Sequence, residues 1–230
     1  MSRLLSEFVG SAFLLGAIVG SGIMADNLAN GDIALSLLAH AIAVGAMLFV
    51  LITMLGPLSG AHFNPAVTLA FWLRGEHETR DVAPYIAAQI AGACIGVIAT
   101  RLMFEMTPID LGEKARTGAG QWMGEVIATF GLMLVILLTL KARADTVPTS
   151  VALYVASAIW FTSSTCFANP AVTIARALSD TFTSISPWDV PMFIIMQVIG
   201  AGLAVGAANI MLPREEAQAL REAADIRPDI

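Results

Sequence analysis

The chain has 230 residues, of which 57% are hydrophobic and only 13% are charged, and its mean hydropathy is +0.77. Because soluble globular domains carry about 25% charged residues, this composition excludes an ordinary soluble domain and indicates a membrane protein. The net charge of −6 and the 12 scattered Lys and Arg residues do not indicate a nucleic-acid-binding protein.

Six apolar segments are long enough to cross a bilayer, which takes about 20 residues each. The first is too long for the core of a cleaved signal peptide, about 7–15 residues, so we predict that it is retained as a transmembrane helix. Two shorter segments have a helical pattern, and each starts with Asn-Pro, which suits a first helical turn. The predicted spans are 4–24, 33–55, 82–102, 121–140, 147–165 and 188–212, and the half-helices are 64–73 and 169–178.

The distribution of basic residues predicts the orientation in the membrane. Six spans put both termini on one face, and eight of the 12 Lys and Arg residues fall on that face. Since cytoplasmic loops carry the excess of Lys and Arg, we expect both termini in the cytoplasm. Residues 1–212 are predicted to form a single transmembrane domain, and residues 213–230 a solvated cytoplasmic tail.

An internal repeat organises the chain. The pentapeptide Asn-Pro-Ala-Val-Thr occurs at 64–68 and again at 169–173. Each half consists of a Glu-bearing helix, a second helix, a half-helix and a Gln-bearing helix. Because three spans is an odd number, the halves must lie in opposite directions, as an inverted repeat. The repeats cover about 4–102 and 121–212, with Glu7 matching Glu125 and Gln89 matching Gln197.

The segments that precede the half-helices carry the predicted chemistry. Non-helical backbone inside a bilayer is tolerated only where protein or a water-filled cavity satisfies its polar groups. We therefore expect both segments to line one pore, with two helix N-termini facing each other at its centre. Each helix start carries about half a positive charge, which repels cations and protons, while the Asn amides donate to a solute oxygen. The predicted pore residues are Asn64, Pro65, Ala66, Asn169, Pro170 and Ala171.

Two carboxylates, Glu7 and Glu125, lie within predicted spans. Ionisable groups in a membrane indicate function by default, and one interpretation is a proton relay. Their symmetric placement favours a structural role, in which each accepts hydrogen bonds from backbone N–H groups of its re-entrant loop. His40 is expected to be packed or hydrogen-bonded. We find no cluster of metal ligands and no nucleophile–base pair, so we expect no metal, no cofactor and no enzymatic activity.

The paired Asn-Pro-Ala motifs within a six-span inverted repeat resemble the aquaporin, or major intrinsic protein, family. The sequence SGAHFNPAVT at 59–68 is very similar to the family's first signature, and the resemblance extends over about 4–212. It implies an all-α membrane protein, a right-handed bundle of six transmembrane helices with two half-helices. It also implies a homotetramer, each protomer with its own pore, in the inner membrane of a bacterium.

The resemblance also implies a second constriction, the aromatic/arginine filter. Spacing carries its four positions over to Val44, Ser157, Cys166 and Val172. Members of the family normally have arginine at the last position, so this filter is expected to be wider, mostly apolar and uncharged. Arg176 lies one helical turn after Val172 and could place its charge in the outer vestibule. The alternatives are that it extends to the lipid headgroups or pairs with Asp180.

These features predict a passive channel for small uncharged solutes such as glycerol, urea or metalloid hydroxides, and water. The segment NPAVTIAR at 169–176 resembles a bacterial subgroup linked to arsenic resistance, which implies arsenite efflux. A water-selective channel, an ion-coupled secondary transporter and a purely structural membrane protein remain alternatives.

Overall fold

A computed structural model describes residues 1–212, and within this range the chain forms eight α-helices and no β-strand. The predicted tail, 213–230, lies outside the described residues. The helices are α1 (Ser2–Leu28), α2 (Ile33–Ser59), α3 (Pro65–Leu73), α4 (Thr79–Met103), α5 (Ala119–Arg143), α6 (Val147–Phe161), α7 (Pro170–Arg176) and α8 (Val190–Met211).

The predicted all-helical architecture is confirmed, with six longer helices of 15 to 27 residues and two half-length helices, α3 and α7. The 27 residues of α1 extend about 40 Å, which exceeds the hydrocarbon thickness of a bilayer. By length and composition, the described residues contain five candidate membrane spans, because α5 and α6 count together as one segment of 43 residues. A short 3-10 turn, Ala144–Thr146, separates these two helices, which pack against each other.

The fifth predicted span ends earlier than expected. We predicted a helix over 147–165, whereas α6 ends at Phe161. The hydroxyl of Thr162 accepts a hydrogen bond from the backbone N–H of Cys166, at 3.0 Å. This bond stabilises a non-helical turn, so the re-entrant segment begins at residue 162 and is longer than its counterpart in the first half.

Glycines bring the first and last helices of each half into backbone contact. A Cβ atom at Gly92 would lie 2.1 Å from the carbonyl oxygen of Phe8, where α4 crosses α1. At the matching crossing of α8 and α5, a Cβ atom at Gly200 would lie 2.5 Å from the carbonyl oxygen of Val126. Small residues allow membrane helices to approach this closely, so both halves use the same packing device.

The bundle has two distinct faces. On the termini face, where α1 begins and α8 ends, the Arg74 guanidinium donates to the side chain of Asn209 at 3.0 Å. On the opposite face, the connection 104–118 lies across the end of α7. There, the backbone N–H of Asp110 donates to the Leu178 carbonyl at 3.1 Å. This connection therefore covers the side of the bundle toward which α7 points.

The glycine contacts predict an unequal response to added methyl groups. Gly92→Ala should lower the free energy of unfolding by about 2 kcal/mol, because overpacking forces backbone atoms apart. Gly202→Ala is the matched control, since nothing lies within 4 Å of a Cβ atom there, and it should be neutral or slightly stabilising. Thermal unfolding in detergent, followed by size-exclusion chromatography, measures both. Equal stability of the two variants would contradict the packing argument.

Candidate pore between the two half-helices

A cavity of about 120 Å³ runs beside the N-termini of α3 and α7. Roughly 10–15 Å³ of such volume suffices for one water molecule, so the cavity has room for several. The two re-entrant segments form one wall. Apolar side chains from α1, α2, α5 and α6 dominate the opposite wall, among them Leu14, Ile18, Leu48, Leu132, Ile136 and Val151.

The two asparagines cap the half-helices with their side-chain oxygens. Oδ1 of Asn64 accepts from the backbone N–H of Ala66 at 2.9 Å, and Oδ1 of Asn169 accepts from that of Ala171 at 2.9 Å. In each half-helix, the proline that follows lies in the first turn, where its missing N–H costs nothing. Because the oxygen is committed to the cap, the orientation of each amide is fixed, and its NH₂ group is turned away from the helix.

Each asparagine also binds the re-entrant segment of the other half. Nδ2 of Asn64 donates to the carbonyl of Ala168, and Nδ2 of Asn169 donates to the carbonyl of Phe63, both at 2.8 Å. An amide NH₂ has two N–H donors, so one remains on each asparagine. Both asparagines line the cavity. Its centre therefore offers hydrogen-bond donors, and a solute there must supply an acceptor oxygen.

The re-entrant backbone adopts a conformation that helices and strands do not use. Five non-glycine residues have left-handed φ angles between 47° and 60°. For L-amino acids this conformation costs roughly 1–2 kcal/mol per residue, so the surrounding structure has to hold it in place. These residues are Ala61 and Phe63 in the first segment, and Thr165, Cys166 and Ala168 in the second.

Glu7 holds the first segment. Its carboxylate accepts from the backbone N–H groups of His62 at 3.0 Å and Phe63 at 2.7 Å. It also accepts from the hydroxyl of Ser59 at 2.7 Å and from Nε2 of Gln89 at 2.8 Å. The side chain is fully buried. Four donors on one carboxylate satisfy the buried charge, which would otherwise be very costly in a membrane.

Glu125 holds the second segment in the same way. It accepts from the backbone N–H groups of Phe167 at 3.0 Å and Ala168 at 2.9 Å, and from Nε2 of Gln197 at 2.5 Å. Neither Glu125 nor Glu7 is among the side chains that line the cavity. The two carboxylates thus lie behind the pore wall, and a proton relay along the cavity would not pass through them.

Three of the four predicted filter residues line the same cavity, namely Val44, Cys166 and Val172. Val44 is contributed by α2, Val172 by the first turn of α7, and Cys166 by the left-handed re-entrant segment. All three side chains are small, and none of them carries a formal charge in its ordinary state.

Ser157 does not reach the cavity. Its side chain is exposed on the outer surface of α6, and its hydroxyl donates to the Leu153 carbonyl one turn earlier, at 2.8 Å. Val155 and Ile159 line the cavity from α6 instead. The prediction for Ser157 is therefore wrong. Two positions along a helix rotate a side chain by about 200°, so a fixed spacing carried across the re-entrant turn selected the wrong helix face.

Arg176 is buried in the cavity wall, with only 3% of its surface exposed. Its Nε donates to the Thr183 carbonyl at 2.5 Å, and its guanidinium carbon lies 3.4 Å from the centre of the Phe167 ring. It does not pair with Asp180, whose carboxylate instead accepts from the backbone N–H of Glu113. The side chain therefore neither extends to the lipid headgroups nor pairs with an aspartate among the described residues, and it faces the cavity instead.

Two residues near the cavity were not predicted as site residues. His40 lines the cavity, and its Nδ1 lies 2.9 Å from the hydroxyl of Ser21. The signal was present in the sequence, because His40 precedes Val44 by four positions and so shares its helix face.

Arg116 is the other residue, and it reaches inward from the connection 104–118. Its guanidinium donates to the carbonyls of Ser184 at 2.7 Å and Ser164 at 3.1 Å. Burial lowers its pKa to about 10, so it stays charged at neutral pH. It also lies 4.7 Å from the centre of the Phe167 ring. No local sequence pattern indicates this contact, because Arg116 lies in an irregular segment far along the chain from its partners.

Comparison with known proteins gives concordant results. Residues 1–167 match the sequence model of the family described as major intrinsic protein. The chain is 49% identical over 210 residues to the aquaglyceroporin AqpS of Rhizobium meliloti strain 1021, covering 91% of this chain and 90% of that protein. It is 30% identical over 232 residues to the aquaporin AqpM of Methanothermobacter thermautotrophicus, covering 88% and 94%.

Among solved structures, the X-ray structure of the aquaglyceroporin from Plasmodium falciparum matches with a TM-score of 0.70. The match covers 92% of this chain and 97% of that one, at 20% sequence identity. At this identity the likeness supports the fold alone.

The carboxylate networks predict a strong effect of removing one charge. Glu125→Gln should lower the free energy of unfolding by about 1–3 kcal/mol, because an amide cannot accept all three donors and leaves a buried N–H without a partner. Unfolding in detergent measures this, and Glu105→Gln, at an exposed carboxylate, is the control and should unfold like the native chain. A Glu125→Gln variant as stable as the control would contradict the supporting role.

Proposed function

The chain belongs to the major intrinsic protein family, and on that basis we propose that it is a passive, multi-pass membrane channel for small uncharged solutes such as glycerol. The observation that carries the proposal is the chemistry of the cavity wall. Asn64 and Asn169 offer hydrogen-bond donors at the centre, while the facing wall is apolar. A solute with hydroxyl groups on one side and a carbon skeleton on the other matches both walls.

The same cavity disfavours cations. In the described part of the chain, no Asp or Glu side chain lines it, and the charge that does is that of Arg176. A cation that entered the cavity would lose part of its hydration shell, would find no anionic side chain from residues 1–212 to replace it, and would be repelled by the positive charge of Arg176. This argues against an ion-coupled transporter, which needs a charged coupling group along the solute path.

For the physiological solute we propose a metalloid hydroxide, with arsenite as the first candidate. Trihydroxyarsenic resembles glycerol in size and in its three hydroxyl groups. The uncharged stretch at Val44, Cys166 and Val172 lacks the usual filter arginine and suits such a solute better than strict selection of water. The relative AqpS is an aquaglyceroporin by name, which supports a solute larger than water. In a cell that reduces arsenate, such a channel would release arsenite down its gradient.

We further propose a homotetramer of 1–212 domains in the inner membrane of a bacterium, with both termini in the cytoplasm and no cofactor or enzymatic activity. Family membership supports the assembly, and the excess of basic residues on the termini face supports the orientation. Large apolar side chains remain exposed on the helices, including Phe13, Leu153 and Leu203, and suit contact with lipid or a neighbouring subunit.

Substitution at the filter tests the solute class. In reconstituted vesicles followed by stopped-flow light scattering, the native chain should pass water, glycerol and arsenite. Val172→Arg should lower glycerol and arsenite flux about tenfold or more and water flux less, because a long charged side chain narrows the cavity.

Two controls accompany this variant. Val172→Met adds bulk without charge, so it separates the effect of side-chain size from the effect of the positive charge. Ser157→Val alters a residue outside the cavity and should leave every flux unchanged. Native vesicles that pass water but neither glycerol nor arsenite would indicate a water-selective channel. Saturable flux that depends on an ion gradient would indicate a transporter.

A further inference from the structure

Two polar side chains line the cavity one helical turn beyond the predicted filter, on the side of the opposite face. His40 precedes Val44 by four residues on α2, and Arg176 follows Val172 by four residues on α7. The helix α2 approaches the termini face as it proceeds, whereas α7 points toward the opposite face. Both residues are therefore displaced in the same direction, by about 6 Å at 1.5 Å per residue.

Arg176 has donors that no protein group uses. Only its Nε has a hydrogen-bond partner among the described residues, the Thr183 carbonyl, and no carboxylate in that part of the chain forms an ion pair with it. Its guanidinium rests on the Phe167 ring, which fixes its plane. An unpaired charge with 3% exposure is costly unless something completes its hydrogen bonds. The two terminal NH₂ groups of this side chain are thus available to a molecule in the cavity.

His40 complements this arginine. It is 4% exposed, and one ring nitrogen is held by the Ser21 hydroxyl, which leaves the other nitrogen for a solute. The Phe182 ring packs edge-on to it, with the ring centres 6.4 Å apart. Phe182 is held in turn by Lys114, which donates to its carbonyl at 3.2 Å. The imidazole therefore has a fixed position on the same cavity as Arg176.

We propose that His40 and Arg176 form an outer selectivity ring that recognises neutral polyhydroxylated solutes through their oxygen atoms. The guanidinium donates to two hydroxyl oxygens in its planar fork, the free imidazole nitrogen bonds a third hydroxyl, and Ile18 and Val44 contact the apolar part of the solute. The ring thus supplies, one turn further out, the donors that position 172 lacks. This inference rests on the proposed channel function.

The test compares the permeability of reconstituted vesicles to glycerol, water and Na⁺. Arg176→Leu should lower the ratio of glycerol to water permeability about tenfold, because two solute hydroxyls lose charged donors, and it should raise Na⁺ permeability by removing one of the barriers to cations. Arg176→Lys keeps the charge but loses the fork, so the ratio should fall while Na⁺ stays excluded. His40→Leu should lower the ratio without a Na⁺ leak.

Arg101→Lys is the matched control. Arg101 is 1% exposed and lies near the same face, but it is paired with Asp110 at 3.1 Å and does not line the cavity. Its substitution should leave the ratio of glycerol to water permeability unchanged. If this ratio fell as much in Arg101→Lys as in the Arg176 variants, the proposed selectivity ring would be overturned. Native glycerol flux with unaltered ratios in Arg176→Lys and His40→Leu would overturn the ring and leave the channel function standing, even if Arg176→Leu does not fold. Absence of glycerol and water flux in the native chain would overturn both.

Discussion

Two buried carboxylates hold the strained segments on which the pore depends. Glu7 and Glu125 satisfy consecutive N–H groups of backbone that has left the helical conformation inside the bundle. Without an acceptor those N–H groups would each carry a desolvation cost, and the left-handed residues beside them would lose the contacts that hold them in place. These fixed segments lead directly into the half-helices and their capping asparagines, so the geometry of the cavity depends in part on groups that do not line it.

The pore wall combines two kinds of surface with separate origins. The polar side comes from backbone and amide groups of the re-entrant segments, whose orientation is set by caps and by cross-connections between the halves. The apolar side comes from the inward faces of longer helices. Beside the half-helices, a solute is therefore guided by hydrogen bonds mainly along one side of the cavity, and its selection there depends on how its own polar and apolar sides are distributed.

Much of this arrangement could be read from the sequence, because its signals are local or repeated. The two Asn-Pro-Ala motifs, the matched carboxylates and the apolar spans determine the helices and the inverted repeat. The assignment of Ser157 failed, because a count of residues across an irregular turn does not preserve rotation about α6. The contacts of Arg116 could not be predicted from the sequence for a different reason. They depend on how the connection 104–118 folds against residues that are distant in the sequence.

The two halves are joined by reciprocal hydrogen bonds from their asparagine side chains, and this has a consequence for how the chain folds during its synthesis on the ribosome. Glu7 and Gln89 support the N–H groups of the first re-entrant segment from within the first half of the chain. The carbonyl of Phe63, however, receives its donor from Asn169, which leaves the ribosome 106 residues later. The first half can therefore insert with its backbone supported but with the pore-side surface unfinished. We therefore expect the pore wall to be completed only when the second half arrives, and we expect a chain truncated before it to leave the Phe63 carbonyl without this donor.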